Sequence, residues 1–500
     1  MGCFPGVGTK GDRAMAEKKS LKLNFIMNAI LTMSSFLFPL ISFPYVSRIL
    51  GPEGTGRVDF ATSLIAYFLM FAQLGIPTYG VRACAKVRDD KHLLTKTAQE
   101  LLIINLVMSV ISYAVLALGL IFVPRLREDR LLYIVVSLTI IFNTIGMEWL
   151  YKALEQYTYI TVRSLIFKVV SLVAMFLLIR QKDDYVIYGG ITILASSASF
   201  LMNFIHARKY ISLRPVGGYS FMPHLKAVAV FFAMACATTV YTNLDKVMLG
   251  IMATDVDVGY YGASARIKSI LVSIVTSLGT VLLPRASYYV QHGKMEEFRK
   301  ISKKALNFVV VAATPLMLYF IYFARQGILL LSGEDYLGAV VPMQLIMPTL
   351  LFIGLTNILG IQILVPTGRE KVVLYSVIVG AVVDVICNLL LIPRYVAAGA
   401  AMSNMIAEAV VLIFQIVALR REVLSAFRSI SYWRIGLALL AGTGASLWVA
   451  GIGLGSFLAL VLSGGLFFAA YGAVLLLTGE TLVRDVAGQF LGKLTKRRKL

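Results

Sequence analysis

Residues 97–122 read TAQELLIINLVMSVISYAVLALGLIF, and from position 101 onward the run carries no charged side chain. An uncharged helix of about 22 residues rises ~33 Å, enough to cross the ~30 Å hydrocarbon core of a bilayer. Runs of the same kind lie at roughly 23–47, 58–82, 131–151, 157–179 and 185–206. After a polar link holding Arg208, Lys209, Arg214 and Pro215 they return near 225–250, 257–285, 304–330, 340–366, 372–392 and 397–418, with two more near 432–452 and 456–477. The pattern predicts an all-α polytopic membrane protein with about 14 transmembrane helices. Composition agrees: 58% of the 500 residues are hydrophobic, 15% are charged, and mean hydropathy is +0.81. A soluble chain of this length would need far more polar surface over its core, which excludes soluble and nucleic-acid-binding classes.

The net charge of +21 would suggest nucleic acid in a soluble domain. In a polytopic chain it reads as Lys and Arg gathered in inner loops. Alternate loops hold Arg82, Lys86, Arg88, Lys91 and Lys96; Arg208, Lys209 and Arg214; Lys294, Arg299, Lys300, Lys303 and Lys304; Arg369 and Lys371; and Arg420, Arg421 and Arg428. The intervening loops, such as 250–257 and 451–456, are short and poor in basic residues. That asymmetry predicts a multi-pass protein with both termini cytoplasmic.

Cys3, Cys84, Cys236 and Cys387 are too scattered for a disulfide framework. His92, His206, His224 and His292 lie in or beside expected inner loops, and no pair has zinc-ligand spacing on a helix face, so no metal or other cofactor is expected. No cleavable signal peptide is evident, and Met1-Gly2-Cys3 lacks the hydroxyl residue of a myristoylation start because Gly6 stands there. Met15-Ala-Glu-Lys-Lys reads as a natural start, making residues 1–14 an extension.

The expected organisation is a disordered cytoplasmic N-terminus (1–20), a six-helix N-lobe (21–206), a cytoplasmic linker (207–224), a six-helix C-lobe (225–418), a last helix pair (419–478) and a basic cytoplasmic tail (479–500). A loose internal repeat supports the two lobes. Val46-Ser-Arg48-Ile-Leu-Gly51 followed by Val58-Asp-Phe-Ala-Thr-Ser-Leu-Ile65 has a counterpart in Leu244-Asp-Lys246-Val-Met-Leu-Gly250 followed by Val258-Gly-Tyr-Tyr-Gly-Ala-Ser-Ala-Arg266. An even number of helices between the copies gives both lobes the same topology, as in parallel-repeat transporters. In the last pair, Ala438, Gly442, Ser446 and Ala450 form a small-residue stripe for close helix contact. In the tail, Val483, Val486, Phe490 and Leu494 suit a helix lying on the inner membrane surface, against the plainer reading of a solvated tail.

Ionisable groups in hydrocarbon cost at least ~2.5–3.5 kcal/mol each and usually face a cavity or a partner. The candidates are Arg48, Arg163, Lys168, Lys246, Arg266 and Lys268 among cations, and Glu148, Asp245, Asp384 and Glu408 among acids. Glu148 and Lys152 are spaced to pair with each other. Snorkelling competes for Arg48 and Lys246 outward, and for Arg163 and Lys168 inward. Asp245 and Lys246 are adjacent, so they point about 100° apart and cannot simply neutralise one another. The deep set is mostly basic, which suits an anionic substrate such as a diphosphate held by Arg48, Lys246, Arg266, Arg163 and Lys168. Asp245, Asp384 and Glu408 then read as cavity or ion-coupling residues. Pro39 and Pro44, close to Arg48, make the first helix the gating candidate, while Pro77, Pro284, Pro315, Pro342, Pro348 and Pro366 are further bending points.

The stretch Leu74-Gly-Ile-Pro-Thr-Tyr-Gly-Val-Arg-Ala-Cys-Ala-Lys-Val-Arg-Asp-Asp-Lys91 resembles the bacterial polysaccharide flippases of the Wzx type. So does Thr242-Asn-Leu-Asp-Lys-Val-Met-Leu-Gly250 together with Val258–Arg266; past residue 330 the likeness reduces to hydropathy and fragments such as Leu364-Val-Pro-Thr-Gly-Arg-Glu-Lys371. The resemblance implies a multidrug/oligosaccharidyl-lipid/polysaccharide exporter fold, with two lobes around a cationic cavity in the bacterial cytoplasmic membrane. It implies an alternating-access flippase for undecaprenyl-diphosphate-linked oligosaccharide, serving O-antigen, capsule or other surface polysaccharide. Arg48, Lys246 and Arg266 become head-group contacts, the last helix pair offers a groove for the lipid tail, and membrane lipids and glycan polymerase machinery are the expected partners. Arg163 and Lys168 match no family motif and rest on the charge argument alone.

A multidrug or cation exporter, or a lipid II flippase, would share the fold; the carboxylates favour the first and the basic excess opposes it. A membrane glycan polymerase or ligase would need a large outer loop with catalytic groups, and the sequence offers no nucleophile–base pair, phosphate loop or nucleotide-binding motif. The chain is therefore expected not to be an enzyme.

Overall fold

The structure, a computed structural model, describes residues 10–480 and 483–484, and every regular element among them is a helix. Among the described residues nine helices are long and apolar enough to cross a membrane, or eleven when two bent pairs are counted as spans. Arg130–Gly146 is a shorter apolar helix. This is an all-α polytopic membrane protein.

Two of the helices are double-length, and each breaks at a single residue. Lys10–Gln73 leaves helical geometry at Gly51 (φ 67°, ψ −177°) and Glu370–Ala418 at Val396 (φ 45°, ψ −122°). Gly51 tolerates positive φ without steric penalty, and Pro52 follows at the start of the next helix, where its missing N–H costs nothing. The non-helical point therefore lies beyond Pro39 and Pro44, the expected gating residues, which both sit inside continuous helix. A proline removes one backbone bond and curves a helix, whereas positive φ ends it. The bent pairs are Asp255–Ser277 with Leu282–Gln291 (41°) and Glu334–Ile346 with Thr349–Leu364 (45°). Pro284 and Pro348, both expected bending points, lie at or beside these bends.

Residues 1–9 and the tail positions Val486, Phe490 and Leu494 lie outside the described residues.

The chain packs as two units, one within Met1–Leu50 and Ala61–Thr239, the other within Gly51–Phe60 and Val240–Leu500. The first unit is built around Ile76, Leu101, Met147, Trp149, Leu150 and Val228, with Gly80 placed so that the Trp149 ring lies over its backbone. Residues of the expected linker 207–224 are tied to the helix Lys91–Phe122 in this unit. Gln99 Nε2 donates to the Ser212 and Arg214 carbonyls (2.8 Å each), and Glu100 accepts from the Ser220 N–H (2.7 Å) and meets His224 Nε2 (2.8 Å).

In the second unit the last pair, Tyr432–Ser446 and Ser456–Leu477, docks on Met295–Tyr322. Tyr319 donates to the Leu460 carbonyl (2.8 Å), Tyr471 to the Val311 carbonyl (2.8 Å), and Asn307 Nδ2 to Glu480 Oε1 (2.8 Å). Ala438, Gly442 and Ser446 are buried as the stripe requires, and Gly442 lies against the Phe467 carbonyl. Ala450 departs from the stripe. The helix tightens to a 3₁₀ turn over Leu447–Gly451, which rotates Ala450 outward and buries Val449 instead.

Gly51 and Gly56 separate two kinds of glycine requirement. A Cβ at Gly51 meets nothing within 4 Å, whereas one at Gly56 would overlap the Asp255 carbonyl and stand 2.9 Å from the Gly259 amide nitrogen. Gly51→Ala is expected to cost about 1–2 kcal/mol through backbone strain alone. Gly56→Leu should be far worse, because two backbones must part. Thermal midpoints from size-exclusion of detergent-purified protein measure both; equal effects would refute the distinction.

Candidate functional site

Two polar clusters occupy the second unit, on helices that are otherwise apolar. In the first, the Arg266 guanidinium forks onto Asp59, with Nη1 to Oδ2 at 3.0 Å and Nη2 to Oδ1 at 2.7 Å. Lys246 Nζ stands 3.5 Å from the same carboxylate. Asp59 is buried, while the side chains of Lys246 and Arg266 keep 22% and 20% of their exposure. Two of the cations expected to hold a diphosphate therefore share a carboxylate, leaving the trio one net positive charge. Gly262 is what permits the approach, since a Cβ there would collide with Asp59 Oδ2. Asp59 was absent from the candidates because it stands alone in an apolar run with no oppositely charged residue at helical spacing. Its partners lie about two hundred residues away.

The second cluster gathers the three expected acids. Asp245 accepts from Asn388 Nδ2 (2.8 Å), Asn404 Nδ2 (3.0 Å) and the Tyr261 hydroxyl. Asp384 neighbours Asp245, Glu408 and Lys268, and both its oxygens are buried with no hydrogen-bond donor among the described residues. Glu408 lies beside Lys268 and Tyr241. Lys268 Nζ in turn donates to Asn404 Oδ1 (3.0 Å). Asp245 and Lys246 thus diverge as their helical offset demands, the first into the acid cluster and the second toward Asp59. Three buried carboxylates thus stand around one lysine. Among the described residues no His, Cys, Asp and Glu group has the geometry of a metal site. Asn388 and Asn404 sit on either side of the Val396 break, and that break is what turns both toward Asp245.

The remaining expected cations lie in the first unit. Arg163 is buried, bonded to Asn203 Oδ1, 3.6 Å from Glu148 Oε2, and layered by the Phe200 and Tyr159 rings at 5.1 and 5.7 Å. Asn203 is itself fixed by its bond to the Gly146 carbonyl (2.8 Å). Arg163 therefore joins helices inside the unit. Glu148 also takes its expected partner Lys152, at 2.8 Å. Lys168 bonds only hydroxyls, Ser34 Oγ (2.8 Å) and Ser35 Oγ (3.0 Å), so its charge has no carboxylate partner among the described residues. Arg48 is exposed and donates to the Pro44 carbonyl one turn back.

The helical architecture, with charge clusters buried among apolar helices, defines a polytopic membrane protein. Residues 21–290 match the family model described as polysaccharide biosynthesis protein, and residues 230–390 match MatE. The first match spans more than half the chain, and the protein belongs to the polysaccharide biosynthesis protein family. It is 24% identical over 360 residues to a protein of Escherichia coli (strain K12) named as an O-antigen transporter, covering 71% of this chain and 86% of the relative. A Shigella dysenteriae protein of the same name is 23% identical over 421 residues, with 81% and 100% covered. Among solved structures, the lipid II flippase MurJ in its inward closed conformation superposes with TM-score 0.73 at 15% identity, covering 92% of this chain and all of that one. The superposition shows that the two chains share a fold.

Removing Asp59 would strand two cations. Asp59→Asn is expected to destabilise the protein by about 2–3 kcal/mol, below the ~3–5 kcal/mol of a fully buried pair because both cations keep some solvent. Asp59→Asn combined with Arg266→Met should recover part of that loss. A thermal double-mutant cycle with no coupling would show the pair to be incidental.

Proposed function

We propose that this chain is a flippase carrying undecaprenyl-diphosphate-linked oligosaccharide from the inner to the outer leaflet of a bacterial cytoplasmic membrane. The match to relatives named as O-antigen transporters over most of both chains carries the reading. The chain crosses the membrane about fourteen times, a number reached by dividing the double-length helices at Gly51 and Val396 and counting Arg130–Gly146 as a span. Both termini are cytoplasmic, by the charge asymmetry of the loops. The lobes are the two six-helix repeats, and they rock to alternate access. No catalytic step is part of this function.

Charge placement refines the roles. Lys168 is the cation best suited to meet a diphosphate, since it bonds only hydroxyls among the described residues, and Arg48 joins it as an exposed cation one turn from Pro44. Lys246 and Arg266 contribute through the single net charge they keep over Asp59. The excess of carboxylate at Asp245, Asp384 and Glu408 suits uptake of a coupling proton or cation that drives the lobes. One observation favours a second reading, a cation exporter: the same carboxylates fall mostly within the MatE match.

Deleting the gene should make lipid-linked oligosaccharide accumulate on the inner leaflet, and its absence there would sink the flippase reading. Lys168→Ala should lower export about tenfold at normal protein levels, while Arg163→Ala should lower the amount of folded protein instead. Asp384→Asn should remove the dependence of export on the ion gradient. Efflux of a cationic dye with unchanged glycan export in the deletion strain would select the second reading.

A further inference from the structure

A cavity outside both clusters opens where the helix Met295–Tyr322 starts, beside the amphipathic helix Arg420–Arg428. Its volume is about 530 Å³, within the ~300–1,000 Å³ typical of small-ligand sites. Arg299, Lys300, Lys303 and Arg369 line it, with Glu422 as the carboxylate among its lining residues. Glu422 is taken by Arg369 Nη2 at 2.8 Å. Arg299, Lys300 and Lys303 have no ion-pair partner among the described residues, so the cavity keeps three uncompensated positive charges. Its other wall is apolar: Phe298, Leu306, Ile363 and Val423 all lie in the hydrophobic core of the unit.

The surroundings place this cavity at a membrane–water boundary. Arg420, Arg421 and Arg428 extend the positive field along the adjoining helix, whose Leu424 is exposed among them. Four residues past that helix, Tyr432 and Trp433 are both exposed at the start of the next apolar helix, as aromatic residues are at bilayer interfaces. A basic amphipathic helix beside interfacial aromatics is the composition that binds anionic lipid surfaces. A cation-rimmed hollow with an apolar wall adds a seat for one head group and its first methylenes.

We propose that this cavity binds the phosphate of an anionic glycerophospholipid of the surrounding leaflet. The phosphate bonds Arg299 and Lys303, which sit one turn apart on the same helix, and the glycerol and upper acyl carbons lie against Leu306 and Ile363. The volume is too small for a head group bearing several sugars, so this lipid is a resident and not the cargo. The inference rests on the membrane reading and stands apart from the transport reading, because its test measures lipid binding alone.

Native mass spectrometry of the full detergent-purified chain titrated with phosphatidylglycerol tests it. Wild type should retain one phosphatidylglycerol in preference to phosphatidylcholine. Arg299→Gln with Lys303→Gln should weaken that first lipid about tenfold, while Arg208→Gln with Lys209→Gln should leave it unchanged. Ile363→Trp, which fills the apolar wall without touching a charge, should also weaken it, and each variant's elution profile checks folding. Equal retention by wild type and the Arg299/Lys303 variant, or equal retention of phosphatidylcholine, would overturn the proposal. Displacement of the lipid by millimolar inorganic phosphate would overturn it too, by assigning the site to a soluble anion.

Discussion

A peptide group in hydrocarbon has no water to bond, so each N–H and C=O must find its partner within the protein. This one requirement explains why every described element is a helix, and why departures from helix are so local. The chain turns at Gly51 and Val396 through single residues rather than loops, so few backbone groups are left unbonded. At Gly51 the absence of a side chain permits the geometry. At Val396 a β-branched residue is held at positive φ, and Gly399 beyond it lets the backbone pass close to Leu391 and Ile392.

The same rule, applied to side chains, organises the charges. A lone ion in hydrocarbon is costly, and here most find company. Arg163 is wrapped by an amide, a carboxylate and two rings; Arg266 and Lys246 converge on Asp59; Asp245 accepts three hydrogen bonds. What remains uncompensated is informative by contrast. Lys168 has only hydroxyls, and Asp384 has two buried oxygens without donors among the described residues.

Much of the architecture was legible before any coordinates. The helices Lys91–Phe122, Tyr157–Leu178 and Ser456–Leu477 fall where apolar runs of bilayer length lie. The divergence of Asp245 from Lys246, the Glu148–Lys152 pair and the bend near Pro348 also followed from local spacing. The site was legible only in part. Reading the deep charges as mostly basic suggested a strongly cationic cavity; Asp59 changed that balance, and Asn388 and Asn404 gave Asp245 its hydrogen-bond partners. Each of these stands far along the chain from the group it meets, and no spacing rule reaches across such distances. The stripe through Ala450 missed for a nearer reason, since it assumed a helical period that a 3₁₀ turn interrupts.

The sequence by itself determined that this protein lives in a bilayer, is helical throughout, and carries charges where an apolar helix would not keep them without cause. Hydropathy and charge act residue by residue, so a linear reading suffices for them. Only the tertiary structure decided which of those charges cancel. Lys246 and Arg266 lost half of their positive charge to one buried carboxylate, and three separated acids became one cluster. Coulomb energy depends on distance in space, and the fold alone brings helices from opposite ends of a unit within a few ångströms of each other.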